Sequence, residues 1–321
     1  MSVEIPGETG GRERGMRIVS LLASATEIVC ALDAGESLVG RSHECDNPPW
    51  VRRLPACSEP AFDISVSSRE IDTEVNRRIR SGEPLYRIHT DQIRELAPDL
   101  LIAQSHCEVC AVTPGDVQRS GCETPARSVL GLSAGSLDGI FGSIREIAQA
   151  IHKEERGCAV IERERQRLQA VREKTANSRR PSVVMLEWAD PVFAMGNWGP
   201  ELVEIANGEL LLGKRNQHSR AIAGEEVRRA DPEVLIVAPC GFNLERACKE
   251  LPVLEGQSWW KGLQAVRTGK VSFADGNLFF NRSGMTITRT AEILAEILHG
   301  VISESPSQGA HWRWIGQLAR S

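Results

Sequence analysis

The amino-acid sequence predicts an α/β protein of two Rossmann-like lobes, each with a parallel central sheet, joined by a single long α-helix. Short apolar runs alternate with longer amphipathic runs in both halves, and a charged helical segment lies between them. Segment 97–103 also resembles segment 231–237, which indicates comparable architecture in the two halves. The predicted organisation is a disordered tail at 1–15, a first lobe at 16–155, a connecting helix at 156–178, a second lobe at 179–300 and a C-terminal tail at 301–321.

Continuous apolar runs are typical of strands that are covered on both faces of a parallel sheet. The runs that fit this description are 17–22, 37–42, 99–104, 128–132, 181–188, 233–238 and 270–274. Ser24-Ala25-Thr26-Glu27 matches a capping box and predicts a helix directly after the first strand. This order of elements favours βαβ units in each lobe.

Two consecutive helices are predicted between the strands of the first lobe and those of the second. Ser136 is a suitable N-cap for a helix with the apolar positions Leu137, Ile140, Ile144 and Ile147 on one face. After it, 158–175 is rich in Glu, Arg and Gln and fits either a solvated surface helix or a stiff connector. A helix of about 20 residues would span about 30 Å and would limit how far two lobes can separate.

Composition excludes several classes of protein. The 321 residues carry 38 Lys and Arg against 43 Asp and Glu, a net charge of −5, so the basic excess of a nucleic-acid-binding protein is absent. No apolar run approaches the length of a membrane helix, so no membrane insertion is expected. The phosphate-binding and nucleophile-elbow motifs of common enzymes are also missing, and the chain is expected not to be an enzyme.

Nine cysteines are present, and their odd number favours free thiols in a cytoplasmic protein. The alternative is a periplasmic or exported protein. Arg12, Arg14 and Arg17 precede a short apolar run and Ala23-Ser24-Ala25, which together imitate a signal peptide. The apolar run has only about five residues, fewer than the seven that a signal peptide needs.

Polar, thiol and aromatic side chains follow the predicted strands, at the edge where α/β sheets bind ligands. We expect these edges of the two lobes to face each other across a cleft. The candidate ligand-binding residues are Ser24, His43, Glu44, Cys45, Cys107, Glu108, Cys110, Glu187, Trp188, Trp198, Cys240, Gly241, Phe242, Phe280, Asn281 and Arg282.

The pair Cys107 and Cys110 has three interpretations: half of a zinc site, a redox pair, or reduced thiols that line a pocket or the core. A zinc or iron site would need further ligands from neighbouring loops, and His43, Cys45 and His106 are candidates. The predicted metal-binding set is therefore His43, Cys45, Cys107 and Cys110.

The segments Arg17–Glu27, Leu38-Val39-Gly40 and Pro98–Ile102 resemble the helical-backbone substrate-binding proteins of ABC importers, which bind vitamin B12 and iron–siderophores. The similarity extends over residues 16–300. Four further segments are similar to a narrower branch described as cobalamin-binding proteins: Ser42–Asp46, Cys107–Val112, Pro239–Phe242 and Phe280–Arg282.

The resemblance implies two α/β lobes joined by one long helix, with a corrinoid or metal-chelate ligand held in the cleft and a possible ABC transporter permease as partner. Trp188, Trp198, Phe242 and Phe280 would then contact the ligand, and Asn281 and Arg282 would orient it. The alternative is a metal-binding protein or enzyme of the same fold that uses the Cys and His side chains in the cleft.

Overall fold

The computed structural model describes residues 15–106, 109, 111–121, 126–301 and 306–318. The first lobe contains short strands and helices in alternation. In chain order they are β1 Ile18–Ser20, α1 Ala23–Ala31, β2 Leu38–Arg41, β3 Ser58–Pro60, α2 Ser68–Ser81, β4 Tyr86–Ile88, α3 Thr90–Leu96, β5 Leu100–Gln104, α4 Pro114–Arg119, β6 Ser128–Leu132 and α5 Leu137–Ala150.

The connecting helix, α6 Glu154–Thr175, leads into the second lobe. The elements of that lobe are β7 Ser182–Trp188, β8 Phe193–Ala194, α7 Gly199–Ile205, β9 Glu209–Leu210, β10 Arg220–Ala221, α8 Gly224–Ala230, β11 Val234–Val237, α9 Leu244–Cys248, α10 Leu251–Glu255, α11 Gln264–Arg267, β12 Val271–Ala274, α12 Ile287–His299, β13 Trp312–Trp314 and α13 Ile315–Leu318.

The fold class is confirmed, with one correction to the second sheet. The first lobe has a four-stranded sheet in the order β2-β1-β5-β6, and all of its pairs are parallel. The second sheet is mixed: its centre, β7-β11-β12, is parallel, whereas β8 and β13 pair with it antiparallel. All seven predicted strands are present, and in all but the edge strands β2 and β6 most of their apolar side chains are buried.

The segment predicted as a C-terminal tail contains part of this second sheet. Strand β13 pairs antiparallel with β12, with Trp312 opposite Ala274. Trp312 is buried and donates from Nε1 to a carboxylate oxygen of Glu296, 3.2 Å away. Trp312 and Trp314, which alternate along β13, therefore belong to an edge strand in a segment that was predicted to be a tail. The predicted N-terminal tail at 1–15 lies outside the described residues except for residue 15.

The capping box predicted at Ser24–Glu27 is also wrong. Helix α1 begins at Ala23, and Leu22 in the N-cap position makes no side-chain hydrogen bond. Glu27 is instead buried and bonded to residues distant in the chain, including Arg282. By contrast, Ser136 caps α5 as predicted, with its hydroxyl accepting from the Gly139 N–H.

Helix α6 packs against both lobes. It lies against α5 of the first lobe and against α12 of the second. One face of the helix is buried along its whole length, and it carries Gly157, Val160, Ile161, Glu164, Leu168, Val171 and Thr175. Arg167 on this helix bonds Glu164 and also Glu292 of α12, so the connector is fixed to the second lobe by an ion pair as well as by apolar packing.

Candidate functional site

A cavity of about 750 Å³ lies between the lobes, at the ends of strands from both sheets. Its volume is within the range of small-molecule binding sites. Most predicted ligand-binding residues line it, namely Ser24, His43, Glu44, Glu187, Trp188, Trp198, Cys240, Gly241, Phe242, Asn281 and Arg282. The strand ends of the two lobes therefore face each other across this cavity, and the binding of a ligand by these residues stays a prediction.

Two predicted residues lie behind the cavity wall. Cys45 is buried, and its sulfur is 3.0 Å from the Thr26 hydroxyl and 3.3 Å from that of Ser42. Phe280 is fully buried, and its backbone carbonyl accepts from Nε1 of Trp198 at 3.1 Å. Cys107, Glu108 and Cys110 lie outside the described residues. Among the residues that are described, no group of three or more His, Cys, Asp or Glu side chains is arranged to hold a metal ion.

The polar floor of the cavity is an ion-pair network between the lobes. Arg282 donates from Nη1 to Glu27, at 3.0 Å, and to Asp46, at 2.8 Å. Asn277 donates to the other oxygen of Asp46 at 2.9 Å. Burial lowers the pKa of Arg282, but the two carboxylates outweigh this and raise it. Arg282 therefore holds the loop after β2 against the loop after β12, and its role in orienting a ligand stays a prediction.

Burial also sets the charge of the two neighbouring side chains on the loop after β2. It lowers the pKa of His43 to about 4, so the imidazole is neutral at neutral pH. The Nδ1 atom of this ring is 3.1 Å from the Ser58 hydroxyl. Burial raises the pKa of Glu44 to about 7, against a lowering effect of Arg282. The cavity thus contains a neutral imidazole next to a carboxyl group that titrates near neutrality.

An aromatic wall is contributed by the second lobe. The rings of Trp188 and Phe242 meet edge to face with centroids 5.1 Å apart, and the Arg246 guanidinium lies 3.7 Å above the Phe242 ring. Gly241, directly before Phe242, has φ of 74°, a left-handed conformation that favours glycine. This turn after β11 places the Phe242 ring toward the cavity.

A pair of histidines connects the lobes at another part of the wall. His106 of the first lobe and His218 of the second have ring centroids 4.3 Å apart. The Nε2 atom of His106 is also 3.0 Å from Oδ1 of Asn197. The sequence analysis includes His106 only as a possible zinc ligand and does not include His218, which follows no predicted strand.

One whole face of the cavity was not predicted from the sequence. Helix α2 and its flanking loops line it with mainly apolar side chains, including Phe62, Ile64, Ile71, Val75, Ile79 and Leu85. The signal was present, since Ser67 and Glu70 form a capping box and Ile71, Val75 and Ile79 repeat at helical spacing.

Two lobes, one long connecting helix and a cavity between the lobes are the features expected of a ligand-binding protein. The profile of the family described as periplasmic binding protein matches residues 18–278, and the chain belongs to this family. Membership implies a small-molecule ligand and an ABC importer as partner, and the expectation of a non-enzymatic protein is confirmed. No curated protein matches the chain significantly.

Solved structures share the fold over nearly the whole chain. The apo periplasmic heme-binding protein RhuT of Roseiflexus sp. RS-1 is 22% identical with a TM-score of 0.64, over 89% of this chain and 99% of that one. The periplasmic vitamin B12-binding protein BtuF of Vibrio cholerae is 20% identical with a TM-score of 0.62, over 88% and 96%. S. aureus IsdE complexed with heme is 15% identical with a TM-score of 0.69, over 89% and 100%.

The prediction of a cytoplasmic protein is wrong, because the family to which the chain belongs is periplasmic. That prediction depended on the odd number of cysteines, which concerns their pairing and not their location. The cysteines that the structure describes are indeed free: Cys30, Cys45, Cys57, Cys158, Cys240 and Cys248. Within the described ranges, no helix has the length and apolar character to cross a membrane.

Proposed function

We propose that this chain is the corrinoid-binding component of an ABC importer and holds a cobalamin-like ligand in the cavity between its lobes. Similarity of fold does not choose between heme and corrinoid, since proteins named for each are comparably similar. The polar atoms of the residues that line the cavity favour a corrinoid over heme.

Hydrogen-bond acceptors are prominent among those atoms. Three carboxyl side chains line the cavity, those of Glu44, Asp72 and Glu187. The two arginines that line it already have partners: Arg282 bonds Glu27 and Asp46, and Arg246 donates to the backbone carbonyl of Val66 at 3.1 Å. Carboxylate groups on a ligand would therefore meet three carboxyl side chains and a single arginine, Arg246, that is not paired with a carboxylate among the described residues, which is unfavourable.

One buried acceptor, the side-chain oxygen of Asn281, has no hydrogen-bond donor among the described residues. The amide nitrogen of Asn281 donates to the carbonyls of Ala238 and Gly276, at 2.8 and 3.1 Å, which identifies Oδ1 as the other atom. This oxygen is buried and has no hydrogen-bond partner among the described residues. A buried acceptor without a donor is costly. Asn281 lines the cavity, so a ligand N–H that reaches this oxygen after a small shift of the side chain would relieve the cost. Corrinoids carry amide side chains, whereas heme carries propionates.

The test compares ligands that differ in this chemistry. We expect cobinamide, with its amide groups, to bind at least tenfold tighter than cobyrinic acid, which has carboxyl groups in their place, and tighter than hemin. Absorbance and calorimetric titrations of the full chain measure all three. Tighter binding of hemin, or no binding of either corrinoid below about 100 μM, would refute the proposal.

A further inference from the structure

Residues 61–85 form a single excursion from the first lobe, which we call the strap. Its two ends lie side by side because β3 and β4, which flank it, pair antiparallel. At the base of the strap, the Ala61 N–H donates to the Leu85 carbonyl at 2.9 Å. Helix α2 lies within the strap and ends at Gly82, which has φ of 69°. The strap can therefore move as a unit about its base without disturbing the main sheet.

The strap has weak attachment to its own lobe. In α2 only Ser68 and Ile71 are buried, although the helix has fourteen residues. Ile64 and Ile79 line the cavity and yet are 42% and 54% exposed. Apolar side chains that line a cavity and stay this exposed are available to cover a bound ligand.

Contacts with the second lobe hold the strap in place: Ile71 packs with Phe242 and Ala247, Arg246 donates to the Val66 carbonyl, and a set of polar contacts lies at the start of α2. Ser68 donates from Oγ to Glu250 at 2.7 Å, and both side chains are buried. Arg69 makes a bidentate ion pair with Asp190, at 2.7 and 2.8 Å. Trp188 of the aromatic wall donates from Nε1 to the Ser68 carbonyl at 3.1 Å. Four hydrogen bonds therefore join the start of α2 to the second lobe.

We propose that the strap is the entrance gate of the cavity, and that breaking the Ser68 and Arg69 contacts opens it while the connecting helix stays fixed. The Arg69 side chain is 70% exposed, so its ion pair with Asp190 stabilises the closed position only modestly. Helix α6, in contrast, buries a face along its whole length and lines no part of the cavity. Segments with few buried contacts open first, which is typical of lids over binding sites.

The gate rests on the proposed function only because it requires that some ligand enters the cavity. Its main test needs no ligand. Cys240 is a free thiol that lines the cavity. Its alkylation by iodoacetamide, followed by peptide mass spectrometry on the full chain, therefore reports how often the cavity opens. We expect the double variant Ser68→Ala/Arg69→Ala to be alkylated at Cys240 about tenfold faster than the parent chain, and Arg69→Gln about threefold faster.

Three internal comparisons make the result decisive. The exposed Cys158 and the buried Cys45 and Cys57 should react at unchanged rates. The variant Arg228→Ala, which removes an exposed ion pair with Glu225 within the second lobe, should leave Cys240 unchanged. An unchanged rate at Cys240 in both strap variants would overturn the gate, and so would an equal rise at Cys45 and Cys57, which would show general unfolding.

A second measurement separates this inference from the proposed function. If cobinamide binds, the double variant should show faster association and faster dissociation with a smaller change in affinity. Slower association in the double variant would count against the gate. If cobinamide does not bind at all, the proposed ligand is wrong, and the alkylation result still decides whether the strap opens.

Discussion

Arg282 of the second lobe donates to Glu27 of the first helix across the cavity floor, and the two side chains are only 4% and 1% exposed. They are separated by 255 residues in the chain. The same guanidinium reaches Asp46. Charges taken out of water in this way are tolerated only when each has its partner, so this contact between the two lobes depends on a single arginine.

Arg282→Met should therefore destabilise the protein strongly. It leaves Glu27 buried without its cation, and loss of one member of a buried ion pair costs about 3–5 kcal/mol in the free energy of unfolding. Urea denaturation of the full chain measures this. Arg228→Ala, which breaks an exposed pair, is the control and should cost far less. Equal losses in the two variants would contradict the structural role of the network.

The fold could be predicted from the sequence because its main elements are decided locally. Strands such as Leu100–Gln104 and Val271–Ala274 are continuous apolar runs that only a buried sheet accommodates. The Ser136 cap and the apolar face that follows it likewise depend on neighbours within a few turns. These signals do not require knowledge of the opposite lobe.

The site was less predictable, because partners distant in the chain decide it. Glu27 fits a capping box in sequence, but Arg282 takes its carboxylate. Cys45 follows a strand as the ligand-binding residues do, yet its side chain turns to Ser42 and Thr26 behind the wall. His218 comes from a loop that no local pattern distinguishes.

Glu44 should make stability depend on pH in a defined direction. Burial raises its pKa in the folded state from 4.5 to about 7, so the folded protein holds a proton that the unfolded chain has lost between these values. The free energy of unfolding should therefore fall as pH rises from 5 to 8. Glu44→Gln should remove this contribution, and its stability relative to the parent should rise over the same window.

The matched control for this measurement is Glu74→Gln. Hydrogen bonds from Arg77 and Arg78 lower the pKa of Glu74 to about 2, so it is ionised throughout the window. Its effect on unfolding should not change between pH 5 and 8. Parallel pH profiles for the parent chain and Glu44→Gln would refute the assignment of this slope to Glu44.

His43 should bind the cobalt of a corrinoid if the proposed ligand is correct. Its neutral imidazole can offer a lone pair to a metal, and Nε2 is free for this while Nδ1 faces Ser58. We expect His43→Ala to abolish the shift in the visible spectrum of aquocobinamide and to weaken binding at least tenfold. His89→Ala is the control, since the His89 ring bonds the Ala56 carbonyl and lines no part of the cavity. A spectral shift retained in His43→Ala would show that another group binds the cobalt.

The role of Cys107 and Cys110 stays a prediction from sequence. Replacing both by Ser should weaken binding of cobinamide or metal at least tenfold, about 1.4 kcal/mol, with little change in melting temperature, if the thiols bind either one. Elemental analysis of the purified protein measures metal content in parallel. Unchanged affinity with a lower melting temperature would instead indicate that the two thiols pack in the core.

Helix α6 should keep the lobes at a nearly constant separation when ligand binds. It buries residues from Gly157 to Thr175 against both lobes, and Arg167 ties it to Glu292. Bending such a helix would expose these apolar side chains and break backbone hydrogen bonds, a larger cost than moving the strap. Small-angle scattering with and without cobinamide should therefore give almost superimposable curves. A change of several ångströms in the radius of gyration would show that the lobes themselves open, and it would shift the entrance from the strap to a hinge at the connector.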